Sequence, residues 1–253
     1  MASDRAVFVV TGSSAGVGAA TVLLLARRGS AVVVNCSKSA DEAEETAQRC
    51  VAAGGEALVV KGDVSQDADC RRMTAAALDR WGRIDGLVNN AGTTRFAPMR
   101  KLDALDAADF QRIYAVNTIG AYQMIRACEA PLRAARGAVV NVSSISSTMG
   151  IGSSVAYACS KGALNTLTLS LARALGPEIR VNAVLPGFIE TRWLKQGLGE
   201  AYEPAREAYR KQSALQTTLA PEDVAEAIVS LLHARKTTGQ LLTIDAGRAL
   251  GPG

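Results

Sequence analysis

Seven short runs of apolar, mostly β-branched residues are spaced along the chain, separated by longer Ala/Leu-rich stretches with apolar positions at helical spacing. The runs AVFVVT (6–11), AVVVN (31–35), ALVVKGD (57–63), IDGLVNN (84–90), GAVVNVSS (137–144), IRVNAVLP (179–186) and QLLTID (240–245) predict strands. Helices are predicted at 16–29, 40–53, about 67–81, about 106–133, 155–175 and 221–233. The strand runs are continuously apolar rather than alternating, as burial on both faces requires. Strand–helix–strand repetition with right-handed crossovers then gives an α/β doubly wound parallel sheet of about seven strands, with helices on both faces. No Pro/Ser linker or composition shift divides the chain, so a single domain over 1–253 is expected. Only 188–220 breaks the rhythm: charged, aromatic and without a clear strand, it reads as an excursion off the sheet.

Composition narrows this frame. A chain of 253 residues that is 48% hydrophobic and 21% charged is ordinary for a soluble globular protein. The net charge of +4 is scattered, with no basic run long enough for a nucleic-acid tail. Five cysteines (Cys36, Cys50, Cys70, Cys128, Cys159) without CxxC spacing, and the single histidine His233, make a poor zinc site and a poor disulfide framework. No metal is expected. The amino-terminal apolar run is too short for a signal peptide, and no window approaches the roughly 18 apolar residues of a membrane span. A cytoplasmic protein with no membrane and no nucleic-acid partner is the expectation.

Candidate chemistry begins where the first strand meets TGSSAGVG (11–18). Glycines at 12, 16 and 18 let the backbone turn tightly and approach a pyrophosphate, while the following helix offers free N–H groups and a positive dipole end. A glycine-rich turn can equally be a plain tight connection, but here it is the first βα turn of the sheet. Where a dinucleotide site usually carries an acid gripping the ribose 2′-OH, this chain has Asn35-Cys36-Ser37-Lys38. Hydroxyl and ammonium donors there favour a 2′-phosphate, hence NADP(H) over NAD(H), although NAD(H) stays possible and Lys38 could be a solvated loop residue.

In order along the chain stand TGSSAGVG (11–18), Asp63, NNAG (89–92), Asn117, Ser144, YxxxK (157–161) and PGFIET (186–191). This set resembles the short-chain dehydrogenase/reductase family in its compact branch, from residue 6 to about 247, with a flavour of its 3-oxoacyl-[acyl-carrier-protein] reductase-like group. The resemblance implies a Rossmann-type fold and a hydride transfer between NADP(H) and a carbonyl or secondary alcohol. It implies that Gly12, Ser14, Gly16, Val17 and Gly18 cradle the cofactor's phosphates and ribose, with Ser37 and Lys38 at the 2′ position. Asp63 and Val64 would flank the adenine, and Asn90, Ala91 and Gly92 support the central part. Pro186, Gly187, Ile189 and Thr191 would fix the nicotinamide. Asn117, Ser144, Tyr157 and Lys161 would form the catalytic group, with Tyr157 and Lys161 also meeting the cofactor. The 188–220 excursion would fold over a small-molecule substrate as a lid, with Phe188, Trp193 and Leu194, and also Thr94 and Phe96, facing the pocket. Family members are commonly tetramers or dimers, so the resemblance implies a homo-oligomer. The carboxyl end departs from the family in carrying Ala246 where a second glycine is common.

The chemistry is physically sound. Tyr157 and Lys161, four residues apart, share one helix face. One positive charge about 5 Å away, at an effective dielectric of about 20, would lower a phenol's pKa by about two units. Ser144, at the carboxyl end of the fifth strand, can align a substrate oxygen, and Asn117 can hold a water beside Lys161. Taken alone, YxxxK is commonly a surface pair and Ser143 or Ser144 a strand-end cap. Cys159 reads as a small packed residue, His233 as a helix-end cap and Trp81 as helix-end packing. Two competing readings remain. A non-catalytic NAD(P)-sensing binding protein would tolerate loss of one of the four polar residues, and all four are present. An epimerase or dehydratase would need a longer carboxyl-terminal domain and a different glycine spacing.

Overall fold

In the computed structural model, which describes residues 5–251, the seven apolar runs form one parallel sheet. Its strands are β1 (Val7–Val10), β2 (Ala31–Cys36), β3 (Glu56–Lys61), β4 (Gly86–Asn89), β5 (Ala138–Val142), β6 (Arg180–Pro186) and β7 (Leu241–Ile244). The spatial order is β3-β2-β1-β4-β5-β6-β7. Sequence order therefore reverses at β1, which pairs with β2 on one side and β4 on the other, in register Val7↔Ala31 and Phe8↔Gly86. At such a reversal the connections leave in opposite directions and open a crevice at the carboxyl ends of the strands.

The helices are α1 (Gly16–Arg27), α2 (Ala40–Ala52), α3 (Asp67–Trp81), α4 (Ala107–Tyr114), α5 (Ala121–Ala135), α6 (Ser146–Met149), α7 (Val155–Ala174), α8 (Arg192–Leu198), α9 (Tyr202–Gln212) and α10 (Pro221–His233). Alternate strand residues feed two cores. Phe8, Val10, Val32 and Val34 pack with Val22, Leu25, Ala47 and Ile228 of α1, α2 and α10. Val7, Val9, Val33 and Leu87 pack with Met73, Met124, Leu132 and Ala172 of α3, α5 and α7. This double burial is why the strands carry no polar alternation.

Four local expectations need revision. The region 106–133 is not one helix: a π-helical turn, Ala115–Gly120, separates α4 from α5 and carries Asn117. β5 ends at Val142, so Ser144 lies two residues beyond the strand rather than on it. The excursion holds α8, a 3-10 turn (Gly199–Ala201) and α9; its two ends meet in the isolated bridge Ile189↔Leu219, and it is tied to the end of β7 by Tyr209 Oη donating to the Asp245 carbonyl at 2.7 Å and Leu215 N–H donating to the Ala246 carbonyl at 3.0 Å. Cys159 is exposed, because on α7 it is Ala156, Ser160 and Lys161 that turn inward.

Two helix-end readings agree with the structure. Trp81 is buried at the end of α3, its indole N–H donating to Glu56 at 2.9 Å. His233 ends α10 with Nδ1 2.8 Å from the Val229 carbonyl. All five cysteines are free thiols, and no metal-binding group of His, Cys, Asp or Glu occurs among the described residues. Ala246 sits at φ +55, a left-handed backbone in which glycine is less strained. No helix among the described residues is long and apolar enough to cross a membrane.

Candidate active site

A cleft of about 900 Å³ runs along the carboxyl edge of the sheet from the glycine-rich turn to α7 and α8. At its first end the turn after β1 is locked by side chains. Gly12 and Gly16 take φ +60 and +57, and Gly12 N–H donates to Asn35 Oδ1 at 2.9 Å. Asn35 Nδ2 donates in turn to the carbonyls of Val60 and Gly62, at 3.0 and 3.1 Å, tying the turn to β3. Asn90 Nδ2 donates to the carbonyls of Thr11 and Gly12, while Asn90 N–H and Ala91 N–H both donate to Thr11 Oγ1. α1 is preceded by Ala15 at its capping position, with no side-chain cap and no acid in its first turn. Its first N–H groups and positive end therefore face the cleft unspent, as an anionic pyrophosphate requires. The residues present fit a dinucleotide.

Ser14, Gly16, Val17, Ser37, Lys38, Asp63 and Val64 line this half of the cleft. Gly18 does not. A Cβ there would lie 2.5 Å from the Gly12 carbonyl oxygen and 2.6 Å from Asn90 Nδ2, so its role is close seating of α1 on the turn. Two carboxylates, Glu42 and Asp63, are among the lining residues. Glu42 is engaged by both of its oxygens, at 2.7 and 2.8 Å, with Arg192 of α8. This ion pair joins the excursion to α2 across the cleft mouth.

At the other end, Pro186, Gly187, Ile189 and Thr191 line the cleft as they leave β6. The Pro186 carbonyl accepts from Ile145 N–H, and Gly187 N–H donates to Ile244, fixing this strand end between its neighbours. Thr191 caps α8, accepting from Leu194 N–H at 3.3 Å.

The polar group of the site gathers around α7. Ser154 caps that helix by accepting from Tyr157 N–H, which places Tyr157 in the first turn, at the positive dipole end. Ser144 sits beside the Tyr157 phenol in the cleft and favours its ionised form. Ser144 Oγ donates to Ser146 Oγ and accepts from Ser146 N–H, at 3.0 and 3.1 Å. Ser143, which also lines the cleft, donates to the Lys161 carbonyl instead. One turn on, Lys161 Nζ is buried, donates to the Val142 carbonyl at 2.8 Å and lies 5.6 Å from the Tyr157 ring centroid. Burial pushes Tyr157 up to about 12, against the opposing effect of Ser144, and pushes Lys161 down to about 8. The expected two-unit lowering of the phenol is thus reversed in the protein alone: desolvation outweighs the neighbouring charge and weakens that charge as well.

Asn117 lies behind the cleft wall. Its Oδ1 accepts from Thr93 N–H, and its Nδ2 donates to the Thr93 carbonyl and Ser160 Oγ. A Cβ added to Gly92 would stand 3.6 Å from Asn117 Oδ1 and 3.7 Å from Lys161 Nζ, so both groups face one small gap.

Phe96, Phe188, Trp193 and Leu194 line the cleft. Thr94 does not: its hydroxyl is spent on Ser153 Oγ at 2.8 Å, and Thr93 lines in its place. The sequence reading also missed Asn35 as the clamp of the turn, Arg112 from α4, the Ile151–Ser153 loop and Tyr209 from α9. One available signal was the seven-residue spacing of Tyr202 and Tyr209, which puts both on the face of α9 that packs on Phe188.

Residues 12–249 match the family model described as Enoyl-(Acyl carrier protein) reductase. The chain is 43% identical, over 98% of both chains, to a presumed ketoacyl reductase 2 of the granaticin polyketide synthase from Streptomyces violaceoruber. It is 32% identical to a 3-oxoacyl-[acyl-carrier-protein] reductase from Synechocystis, over 96% of this chain and 97% of that protein. A crystal structure of a presumed short-chain dehydrogenase/reductase from Burkholderia xenovorans superimposes with a TM-score of 0.91 at 41% identity, covering 98% of this chain and all of that one.

Proposed function

The chain belongs to the short-chain dehydrogenase/reductase family, an oxidoreductase family that uses NAD(P)(H), and from that premise we propose that it is an NADP(H)-dependent carbonyl reductase or alcohol dehydrogenase. The observation that carries the reading is the Ser144–Tyr157–Lys161 arrangement, set in a cleft continuous with an uncapped, glycine-led helix start. A nicotinamide cofactor supplies or accepts the hydride when bound. The chain's own groups handle the oxygen and its proton. Ser144 Oγ hydrogen-bonds and aligns the substrate oxygen, and Tyr157 gives that oxygen its proton or takes it back. Lys161, held by Val142, sets the electrostatics of the phenol. The gap shared with Asn117 has the polar walls that a water on the proton path needs. The names of the relatives support a ketone substrate, two of them being ketoacyl or oxoacyl reductases.

Ser37 and Lys38 support NADP(H), since hydroxyl and ammonium donors line the place where an acid would repel a 2′-phosphate. Glu42 does not oppose this, its charge being offset by Arg192. The 188–220 segment acts as the lid, held by Thr191 and by the Arg192–Glu42 pair. Exposed Ile119, Tyr122 and Leu169 suit a homo-oligomer, dimer or tetramer, and the free thiols suit the cytoplasm.

A screen of ketones, aldehydes and alcohols with both cofactors, read as nicotinamide absorbance, tests the activity. Tyr157→Phe should lose about 10²–10⁴ in turnover with little change in cofactor affinity. Near-normal activity in that variant would discard the mechanism. NADPH should bind roughly ten- to a hundredfold tighter than NADH, and the opposite order would discard the Ser37/Lys38 argument.

A further inference from the structure

Beside the reacting phenol the excursion presents an indole. The Trp193 ring centroid lies 6.4 Å from that of Tyr157, inclined 45°, and 5.6 Å from that of Phe96, inclined 54°. Both separations lie within the range of ring–ring contact. Yet Trp193 remains 46% exposed. A large aromatic left half in water at the mouth of a cleft is a surface awaiting an apolar occupant.

The indole is also held in place. Trp193 and Gly197 share one face of α8, four residues apart, and a Cβ at Gly197 would fall within the Phe96 ring. The α8 backbone therefore rests directly on Phe96, the helix start is capped by Thr191, and Arg192 anchors it to Glu42. Next to Tyr157 on the Ile151–Ser153 loop, Gly152 adds no side chain. A Cβ there would fall 2.5 Å from Ser146 Oγ and 3.8 Å from Tyr157 Cδ1, so the loop backbone packs directly against the Ser146 and Tyr157 side of the site. The lining cation from α4, Arg112, is paired with Asp109 at 3.0 Å.

We propose that Trp193 is the specificity-determining platform of the site and that the substrate is an uncharged, flat ring ketone lying against the indole with its carbonyl toward Tyr157. This rests on the carbonyl-reductase reading above. The rings select shape: a planar ring covers the indole in offset or tilted stacking, whereas a flexible chain pays rotamer entropy to cover the same area.

The test compares 1-tetralone with a linear methyl ketone of the same carbon count, using wild type, Trp193→Ala, Trp193→Phe and Arg112→Ala. Wild type should prefer 1-tetralone in kcat/KM, and Trp193→Ala should shrink that preference roughly 10- to 100-fold, chiefly through KM. Trp193→Phe should keep most of the preference. In a separate binding readout, 1-tetralone should quench a tryptophan emission that Trp193→Phe removes, the other tryptophan, Trp81, being buried and bonded to Glu56. Cofactor titration of Trp193→Ala confirms that the variant is folded. A preference unchanged in Trp193→Ala, or equal use of the two ketones by wild type, overturns the platform. Preference for a ring keto acid over the neutral ketone, lost in Arg112→Ala, overturns the uncharged class. Turnover of the linear ketone without dependence on Trp193 sinks the inference alone. Absence of nicotinamide oxidation with every carbonyl sinks the function reading with it.

Discussion

Subtracting the alkaline titration of Tyr157→Phe from that of wild type, in cofactor-free protein, should isolate the ionisation of a single phenol. At pH 10.0, where an ordinary phenol is half ionised, Tyr157 should contribute no tyrosinate absorbance, because burial raises it well above that value. A midpoint below 10 would mean that the Lys161 charge prevails over burial after all. The residue types and their i, i+4 spacing were plain in the sequence, and they imply a lowered phenol. What spacing cannot convey is how dry the surroundings are, and that decides the sign. The same limit explains the other misplaced residues. Nothing local distinguishes Gly18, which seats a helix, from Gly16, which lines the cleft, or Thr94, bonded to Ser153, from Thr93. Cys159 was misjudged for want of the helix's orientation, and Asn35 was noted for the acid it is not, while its amide holds the turn.

The elements were legible wherever apolar periodicity spoke, and less so where one residue changes the pattern. The π-turn Ala115–Gly120 sits inside a stretch with unbroken helical character, so it reads as one helix, yet it carries the Asn117 amide that clamps Thr93. α8 and α9 were hidden because their faces are charged and their apolar anchors are few aromatics. The junction of α1 with the glycine turn gives the sharpest element-scale prediction. Gly18→Ala would place a Cβ 2.5 Å from the Gly12 oxygen and 2.7 Å from Ser13 Cα. These are backbone atoms, so no rotamer relieves the clash and α1 must lift from the turn. Denaturant unfolding should show a loss of about 1–3 kcal/mol, the usual range for overpacking. NADPH titration should show weakened binding as well, because the N–H groups of α1 shift with the helix. An unchanged unfolding midpoint with unchanged cofactor affinity would contradict the described seating.

At the scale of the whole molecule, doubly covered strands made the sheet readable, and the same double cover buries ionisable groups that no pattern marks as titrating. Burial raises Cys50 and Cys128 to about 11 and Cys70 to about 12, from an ordinary 9.0. Tyr157 and Tyr209 rise to about 12 from 10.0, while Lys161 falls to about 8 from 10.5. Above pH 9 the unfolded thiols give up protons that the folded ones keep, so the native state binds more protons and stability falls as pH rises. Lys161 acts in the opposite sense between its two values, since the folded amine is deprotonated near pH 8 and the unfolded one stays charged to 10.5. Near pH 10 three thiols against one lysine leave a difference of about two protons, or about 3 kcal/mol lost per pH unit. The two tyrosines steepen the fall beyond pH 10. Guanidinium unfolding at a series of pH values should therefore give nearly level stability from these groups up to about pH 9, then a steep decline. Because each thiol carries its own share of the slope, Cys70→Ala or Cys128→Ala should reduce the steepness by roughly a third to a half whatever the variant does to stability at neutral pH. Stability that stays level from pH 9 to 10.5 would mean the thiols meet water in the folded protein, and the two cores flanking the sheet would have to be looser than their packing indicates.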